Sequence, residues 1–298
     1  MTAPLIDRIQ TSLATPAEPA VRGFAARLGE EAGALGVLFY GSNLRTGSLD
    51  GVLDFYVLLP GAVERGIWPR VGYREWPHEG RTLRAKVATM TLATFAAAAA
   101  GDLLDTTIWA RFVQPSALVW TRDPAAASAI AEAVAAAART AARFAVALGP
   151  EAGEAEAYWR ALFRATYRAE FRVEKPGREN DILRVNREHF AGLLPLALAA
   201  DGIAFVSEGD VLRPRMASGQ RDAMRLAWRR RARLGKPYNL ARLLRASTTF
   251  DGAARYAAWK IERHTGVAVT LTPWKERHPV LAAPAVLWRV WRTRRAAR

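Results

Sequence analysis

The sequence predicts an α+β protein, with a mixed sheet and helices first, then a small winged-helix-like domain and a basic C-terminal helical segment. Three observations carry this expectation. Short runs rich in β-forming residues lie before Leu92, helical patterning takes over from there, and the positive charge is concentrated after Ser218. With 298 residues, 51% of them hydrophobic, the chain is long enough to bury real cores and to form two domains or one with appendages.

In chain order, Ile6–Arg27 carries a weak helical pattern broken by Pro16 and Pro19. The apolar run Gly36-Val-Leu-Phe-Tyr40 ends at Gly41-Ser42, so Val37–Tyr40 is expected to be a strand. A polar loop, Asn43–Gly51, leads to a second strand, Val52–Leu59, which carries Asp54 in its interior and closes at Pro60-Gly61. Arg81–Thr91 alternates well enough for a third strand, after a loop containing Trp76-Pro77-His78-Glu79-Gly80. Helices are expected at Leu92–Ala100, Pro124–Leu148 and Glu151–Glu170, the second with Asp123 as N-cap and Gly149-Pro150 as its stop. Asn180–Leu198 reads as a helix and Gly202–Arg215 as a short hairpin. Lys236-Pro237 then introduces a helical segment over Asn239–Arg263. The expected organisation is 1–150, 151–235 and 236–298.

Composition excludes several chemistries. With no cysteine there is no disulfide framework, thiolate metal site or cysteine nucleophile, and the four histidines have no ligand-like spacing. Residues 1–20 mix Pro, Asp, Arg and Glu where an export signal needs an apolar stretch, so no signal peptide is expected. The best apolar runs, Phe190–Ala200 and Val280–Trp288, are about half of the ~20 residues a transmembrane helix needs. Residues 1–218 are balanced in charge, while residues 219–298 hold 19 Lys and Arg against four Asp and Glu, which is the whole net charge of +15. Such a segment suits an anionic partner, either nucleic acid or a membrane surface. An arginine-rich compositional habit, in step with the abundant alanine, is the plainer source of the same charge.

The sharpest local signal is Tyr40-Gly41-Ser42, then 11 residues, then Asp54 within a strand. Nucleotidyltransferase-like chemistry needs this arrangement. A Gly-Ser turn lets backbone and hydroxyl approach a triphosphate, and a carboxylate on the next strand can hold the Mg²⁺ that bridges its phosphates. The same residues also suit a hairpin turn with no chemical role, and Tyr56 stands where many such enzymes place a second acid.

Over most of its length the chain resembles the mitochondrial-type phosphatidate cytidylyltransferases, the translocator assembly and maintenance family. Tyr40-Gly41-Ser42 and Leu53-Asp54-Phe55 look like that family's Tyr-Gly-Ser and (Leu/Ile)-Asp-(Phe/Leu), and an apolar or aromatic residue at the place of Tyr56 fits it. Gly80-Arg81 and Lys86-Val-Ala resemble its Gly-Arg and Lys-Tyr-Gly, while Trp109-Ala-Arg111 with Pro115 is similar to its Ala-Gly-Arg-Leu-Gln-Lys-Pro segment. Tyr167-Arg-Ala-Glu170-Phe-Arg172 follows its Tyr-x-Gly-Asp-(Phe/Ile)-Arg with Ala for Gly and Glu for Asp. Arg245-Ala-Ser-Thr248 and Phe250 fall near a C-terminal family segment but lack its lysine.

The resemblance implies a peripheral enzyme that makes CDP-diacylglycerol from CTP and phosphatidic acid, with Mg²⁺ or another divalent cation. Tyr40, Gly41, Ser42 and Arg111 are then nucleotide-binding. Asp54 holds the metal with Asp50 or Glu170 as a second carboxylate, and Lys86 and Arg172 neutralise phosphate. Arg111 and Arg172 also suit surface ion pairs, and His189 and His264 read as solvated or capping residues.

Trp288, Trp291, Arg292, Arg294 and Arg295 follow an apolar half-segment, the composition of a stretch lying in the headgroup layer. An ordinary terminal helix packed on the body is the alternative. The expected place is the cytoplasmic face of the cell membrane, with no nucleic-acid partner and possible homodimerisation. The competing readings are a basic nucleic-acid binder, which has no use for Asp54, and a nucleotidyltransferase acting on RNA or another phosphate acceptor.

Overall fold

A computed structural model describes residues 3–169, 178–249, 252–267, 269–277, 282 and 288. Two helices, α1 (Ala3–Leu13) and α2 (Pro19–Glu31), precede β1 (Gly36–Tyr40), the short α3 (Ser42–Thr46) and β2 (Leu53–Leu59). There follow β3 (Arg70–His78), β4 (Arg81–Thr91), α4 (Leu92–Ala100), α5 (Thr107–Phe112), β5 (Ser116–Thr121) and α6 (Pro124–Leu148). The second half holds β6 (Gly153–Glu154), α7 (Ala155–Ala169), α8 (Arg178–Val185), α9 (Arg187–Phe190), α10 (Leu193–Ala200), β7 (Phe205–Glu208) and β8 (Val211–Pro214). It ends with α11 (Ser218–Thr249), α12 (Ala253–Thr265) and α13 (Pro273–Arg277).

The fold is α+β, and its main sheet is mixed, in the order β3-β4-β2-β1-β5, with β2 and β4 parallel and the other pairs antiparallel. The central strand β2 alternates between two apolar layers. Leu53, Phe55 and Val57 face a cluster with Phe24 and Leu28 of α2, whereas Tyr56 and Leu58 face the larger core built on α4, α5 and α6. Asp54 shares the second face.

Asp123 caps α6 by accepting the Ala126 N–H at 2.7 Å, and Gly149 ends the helix, as its sequence pattern predicts. Most of α6 is alanine facing neighbours on several sides, so it serves as the spine of the core rather than an amphipathic surface helix. Phe144 of α6 stacks on Trp109 of α5 with centroids 5.2 Å apart and meets Trp228 of α11 at 5.7 Å. The same core continues into α7, α8 and α10, and the β7–β8 hairpin is tied to α7 by the Tyr158 hydroxyl donating to the Leu212 carbonyl at 2.9 Å.

Several elements differ from expectation. β3, which takes up most of the segment expected to be a loop, is an edge strand. Its Arg, Glu, Pro and His hid the strand pattern, and an edge tolerates them. β5 pairs with β1 at the other edge. Ser42–Thr46, part of the expected loop, forms α3. Asn180–Leu198 is three short helices broken near Asn186 and Gly192. Pro237 sits inside α11 instead of opening a helix, so residue 235 lies mid-helix. Tertiary anchors outweigh the lost N–H there: Arg231 donates to the Gly101 and Leu103 carbonyls, and Arg242 pairs with Asp105. The expected single helix over Asn239–Arg263 is split, with Gly252 at φ +78° where an added Cβ would lie 2.7 Å from the Tyr73 carbonyl oxygen.

Truncating Phe144, 2% exposed, to Ala should cost about 3–5 kcal/mol through lost burial and the cavity left between α5, α6 and α11. Chemical denaturation of the variant beside the parent protein measures it.

Candidate active site

The sheet register assembles the site. Tyr40 pairs with Asp54, Asp54 with Lys86, and Lys86 with Tyr73, so one row across β1, β2, β4 and β3 carries these four side chains on the same face. Three strands called from sequence thus place a carboxylate between an aromatic ring and an ammonium. Past this row, Gly41 adopts φ +94°, a conformation that favours glycine, and an added Cβ there would stand 3.4 Å from Asp54 Oδ2. The turn therefore brings bare backbone up to the carboxylate.

Arg111, half-buried near the end of α5, enters from above the sheet. Its Nη1 donates to the Tyr56 hydroxyl at 2.8 Å, and its guanidinium lies 5.1 Å from the Tyr40 ring centroid and 5.7 Å from that of Tyr56. Tyr56, the residue at the place of a second acid, positions this arginine. Lys86 and Arg111 line one cleft of about 140 Å³ with Tyr40, Tyr56, Val71 and Arg242.

Burial pushes the Asp54 carboxyl above its ordinary pKa of 3.8, outweighing the attraction of Lys86 and Arg111. Loss of surrounding water lowers the Lys86 ammonium from its usual value, with Arg111 and Lys260 adding to the effect and Asp54 opposing it. Lys86 is nonetheless solvent-accessible, at the open side of the cleft it lines. Among the described residues the cleft gathers Lys86, Arg111 and Arg242, with the carboxylate of Asp54 beside Lys86 and that of Asp105 paired to Arg242.

A second wall comes from α12. Tyr256 meets Tyr73 at 5.4 Å, Trp259 lies under both Arg84 (5.5 Å) and Arg263 (5.2 Å), and Arg84 pairs with Glu75 at 3.5 Å. The Glu75 carboxylate also accepts the Tyr73 hydroxyl at 2.9 Å.

Of the residues predicted from sequence, Tyr40, Gly41, Asp54, Lys86 and Arg111 come together here. Ser42 follows Gly41 at the start of α3, exposed, with its hydroxyl 3.5 Å from Asn43 Oδ1. Asp50 is exposed in the next loop, where its carbonyl accepts from Asn43 Nδ2 at 2.9 Å. Glu170, Arg172, Trp291, Arg292, Arg294 and Arg295 lie outside the described residues, and Trp288 is 58% exposed. His189 sits against the Val113 carbonyl at 2.9 Å, a structural contact.

Arg242, Tyr73 and Lys260 were not expected at the site. Arg242 follows Tyr238 by one helical turn, the one local sign of a held guanidinium, but its approach to Asp105 depends on the tertiary fold.

Among the described residues no group of three or more His, Asp or Glu gathers to hold a metal. Asp54 alone still fits Mg²⁺, which is commonly bound through one or two carboxylates plus substrate phosphates and water. In comparison with known proteins, no family model and no curated protein matches this chain.

Because the folded-state pKa of Asp54 is raised, ionisation costs stability above that pKa, and the cost disappears once Asp54 is protonated in both states. Asp54→Asn should therefore melt above the parent protein at pH 7, with a difference that shrinks as pH falls through the raised pKa towards 3.8. Thermal melts across that range test the sign.

Proposed function

We propose that the protein is a phosphatidate cytidylyltransferase, making CDP-diacylglycerol and pyrophosphate from CTP and phosphatidic acid at a membrane surface. The observation that carries this reading is the Tyr40–Asp54–Lys86 row ending at the Gly41 turn, with Arg111 held over it. It brings together bare backbone, cations and a metal-competent carboxylate.

An oxygen of the acceptor phosphate attacks the α-phosphorus of CTP, a new P–O bond forms, and the bond to the β-phosphate breaks with pyrophosphate leaving. Two polyanions must be brought together, so catalysis rests on positioning and charge neutralisation, and no covalent nucleophile is needed. The Gly41 turn and Ser42 hydroxyl bind the triphosphate, Lys86 and Arg111 compensate charge on the phosphates, and Asp54 would hold Mg²⁺. When bound, Mg²⁺ supplies neutralisation of the triphosphate charge. Tyr56 keeps the Arg111 guanidinium aimed along the cleft.

The membrane part of the reading draws on the basic C-terminal region. The solvent side of α11 exposes Leu226, Leu234 and Leu240 among Arg229, Arg230, Arg233 and Lys236, a mixture suited to an anionic headgroup layer. Among the described residues no helix is long and apolar enough to cross a membrane. We place the enzyme peripherally on the cytoplasmic face, with Trp288, Trp291, Arg292, Arg294 and Arg295 as further surface contacts.

Turnover of labelled CTP with phosphatidic acid in mixed micelles and Mg²⁺ should carry label into the lipid phase. Asp54→Ala should lower that turnover at least ~100-fold while retaining the parent circular dichroism. Label that never leaves the nucleotide would reject the lipid acceptor, and an active Asp54→Ala protein would reject the metal role. Deleting residues 279–298 should weaken flotation with anionic liposomes more than CTP affinity, and unchanged flotation removes the tail from the membrane contact.

A further inference from the structure

Arg242 reaches the same cleft from α11, where a buried carboxylate and two aromatic rings hold it. Asp105, 3% exposed, is fixed by the Thr107 hydroxyl at 2.7 Å and the Ile108 N–H at 3.1 Å, and pairs with Arg242 Nη1. The guanidinium lies 4.9 Å from the Trp68 ring centroid and 4.5 Å from that of Tyr238, so its place is set by two aromatic contacts and one carboxylate. Its Nη1 also donates to the Thr107 hydroxyl at 3.3 Å, while Nε and Nη2 are buried without a hydrogen-bond partner among the described residues. Guanidinium N–H groups removed from water without acceptors are costly, and the residue that carries them lines the cleft.

Arg242 enters the cleft from a different element than the Asp54–Lys86 row, through contacts with Trp68 and Asp105. Along β3 and β4 the row at Tyr73–Lys86 is followed by Val71–Ala88 and then Arg70–Thr89, and Trp68 lies beyond that pair. Pro69, Val71 and Ala88 add apolar surface to the cleft, and Arg111 on Tyr56 lines it too.

We propose that Arg242, held by Asp105, anchors a second anion subsite that takes the phosphate monoester of the acceptor, while the Asp54–Lys86 end takes the nucleotide triphosphate. The assignment to an acceptor rests on the nucleotidyl-transfer reading; the anion subsite itself rests on Arg242. A planar guanidinium with two free N–H groups suits two phosphate oxygens, which an ammonium cannot match in the same geometry.

Titrations of the full chain with glycerol 3-phosphate, inorganic phosphate and Mg²⁺-CTP, each alone, test the subsite. Vesicles of phosphatidylcholine with and without phosphatidic acid test the source of the phosphate. Arg242→Lys keeps the charge beside Asp105, and the paired Asp105→Asn/Arg242→Gln variant removes both charges, so neither leaves Asp105 buried alone. Each should bind glycerol 3-phosphate about ten-fold or more weaker while its CTP affinity stays within about two-fold of the parent. In turnover, the acceptor KM should rise while the CTP KM holds. Unchanged glycerol 3-phosphate affinity in both variants, a parallel loss of CTP affinity, or a parent protein that binds neither phosphate probe would overturn the proposal. Soluble phosphates that bind through Arg242, together with no preference for phosphatidic acid vesicles and no lipid product, would keep the subsite and reject the lipid reading.

Discussion

The pairing of β2 with β1 on one side and β4 on the other is the constraint on which the site depends. β2 is apolar on both faces except at Asp54, so its register is held by Leu53, Phe55 and Val57 against one layer and by Tyr56 and Leu58 against the other. A slip of one residue would turn Asp54 into the layer around Phe24 and bring Phe55 to the cleft, exchanging every side chain on the strand. Core packing thereby enforces the position of a group that itself costs stability. The carboxylate persists because releasing it would give up the burial of Leu53, Phe55, Tyr56, Val57 and Leu58.

The walls follow from the same logic at longer range. α11 continues through Pro237 because Arg231 and Arg242 are each tied to the segment after α4, at Gly101, Leu103 and Asp105. That segment leads directly into α5, which carries Arg111. One loop therefore couples the two arginine-bearing walls of the cleft, and Phe144 fills the space behind both by touching Trp109 and Trp228. The register of the sheet fixes the floor, and this loop fixes the distance between floor and walls.

Much of the floor was legible in the sequence. Gly36–Tyr40 and Val52–Leu59 announce themselves as buried strands, Arg81–Thr91 alternates, and Gly41-Ser42 marks the turn before Asp54. That Lys86 stands beside Asp54 requires a parallel pairing across the intervening edge strand β3, which local pattern cannot specify and which charged and proline residues disguised. Arg242 was still less accessible. It lies in a basic stretch where many arginines are solvated, and only contact with Asp105, 137 positions away, distinguishes it. The Asn186 and Gly192 breaks and the run of α11 through Pro237 show the same limit, since tertiary contacts decided where apolar helical patterns were interrupted.

The electrostatics of the ligand-free chain point to how binding and folding are linked. Burial lowers Lys86, with its cationic neighbours Arg111 and Lys260 adding to the effect, and burial raises Asp54 despite its two cations. Both departures show groups held where their charged forms are disfavoured, which is the opposite of what an ion-pair network built for stability would display. A polyanion entering the cleft reverses the balance for Lys86, since a nearby negative charge favours the ammonium, and a cation carried with that polyanion does the same for the Asp54 carboxylate. On the proposed reading, a ligand of complementary charge would favour the charged forms that burial disfavours at these two positions, so binding and folding would be linked through Asp54 and Lys86.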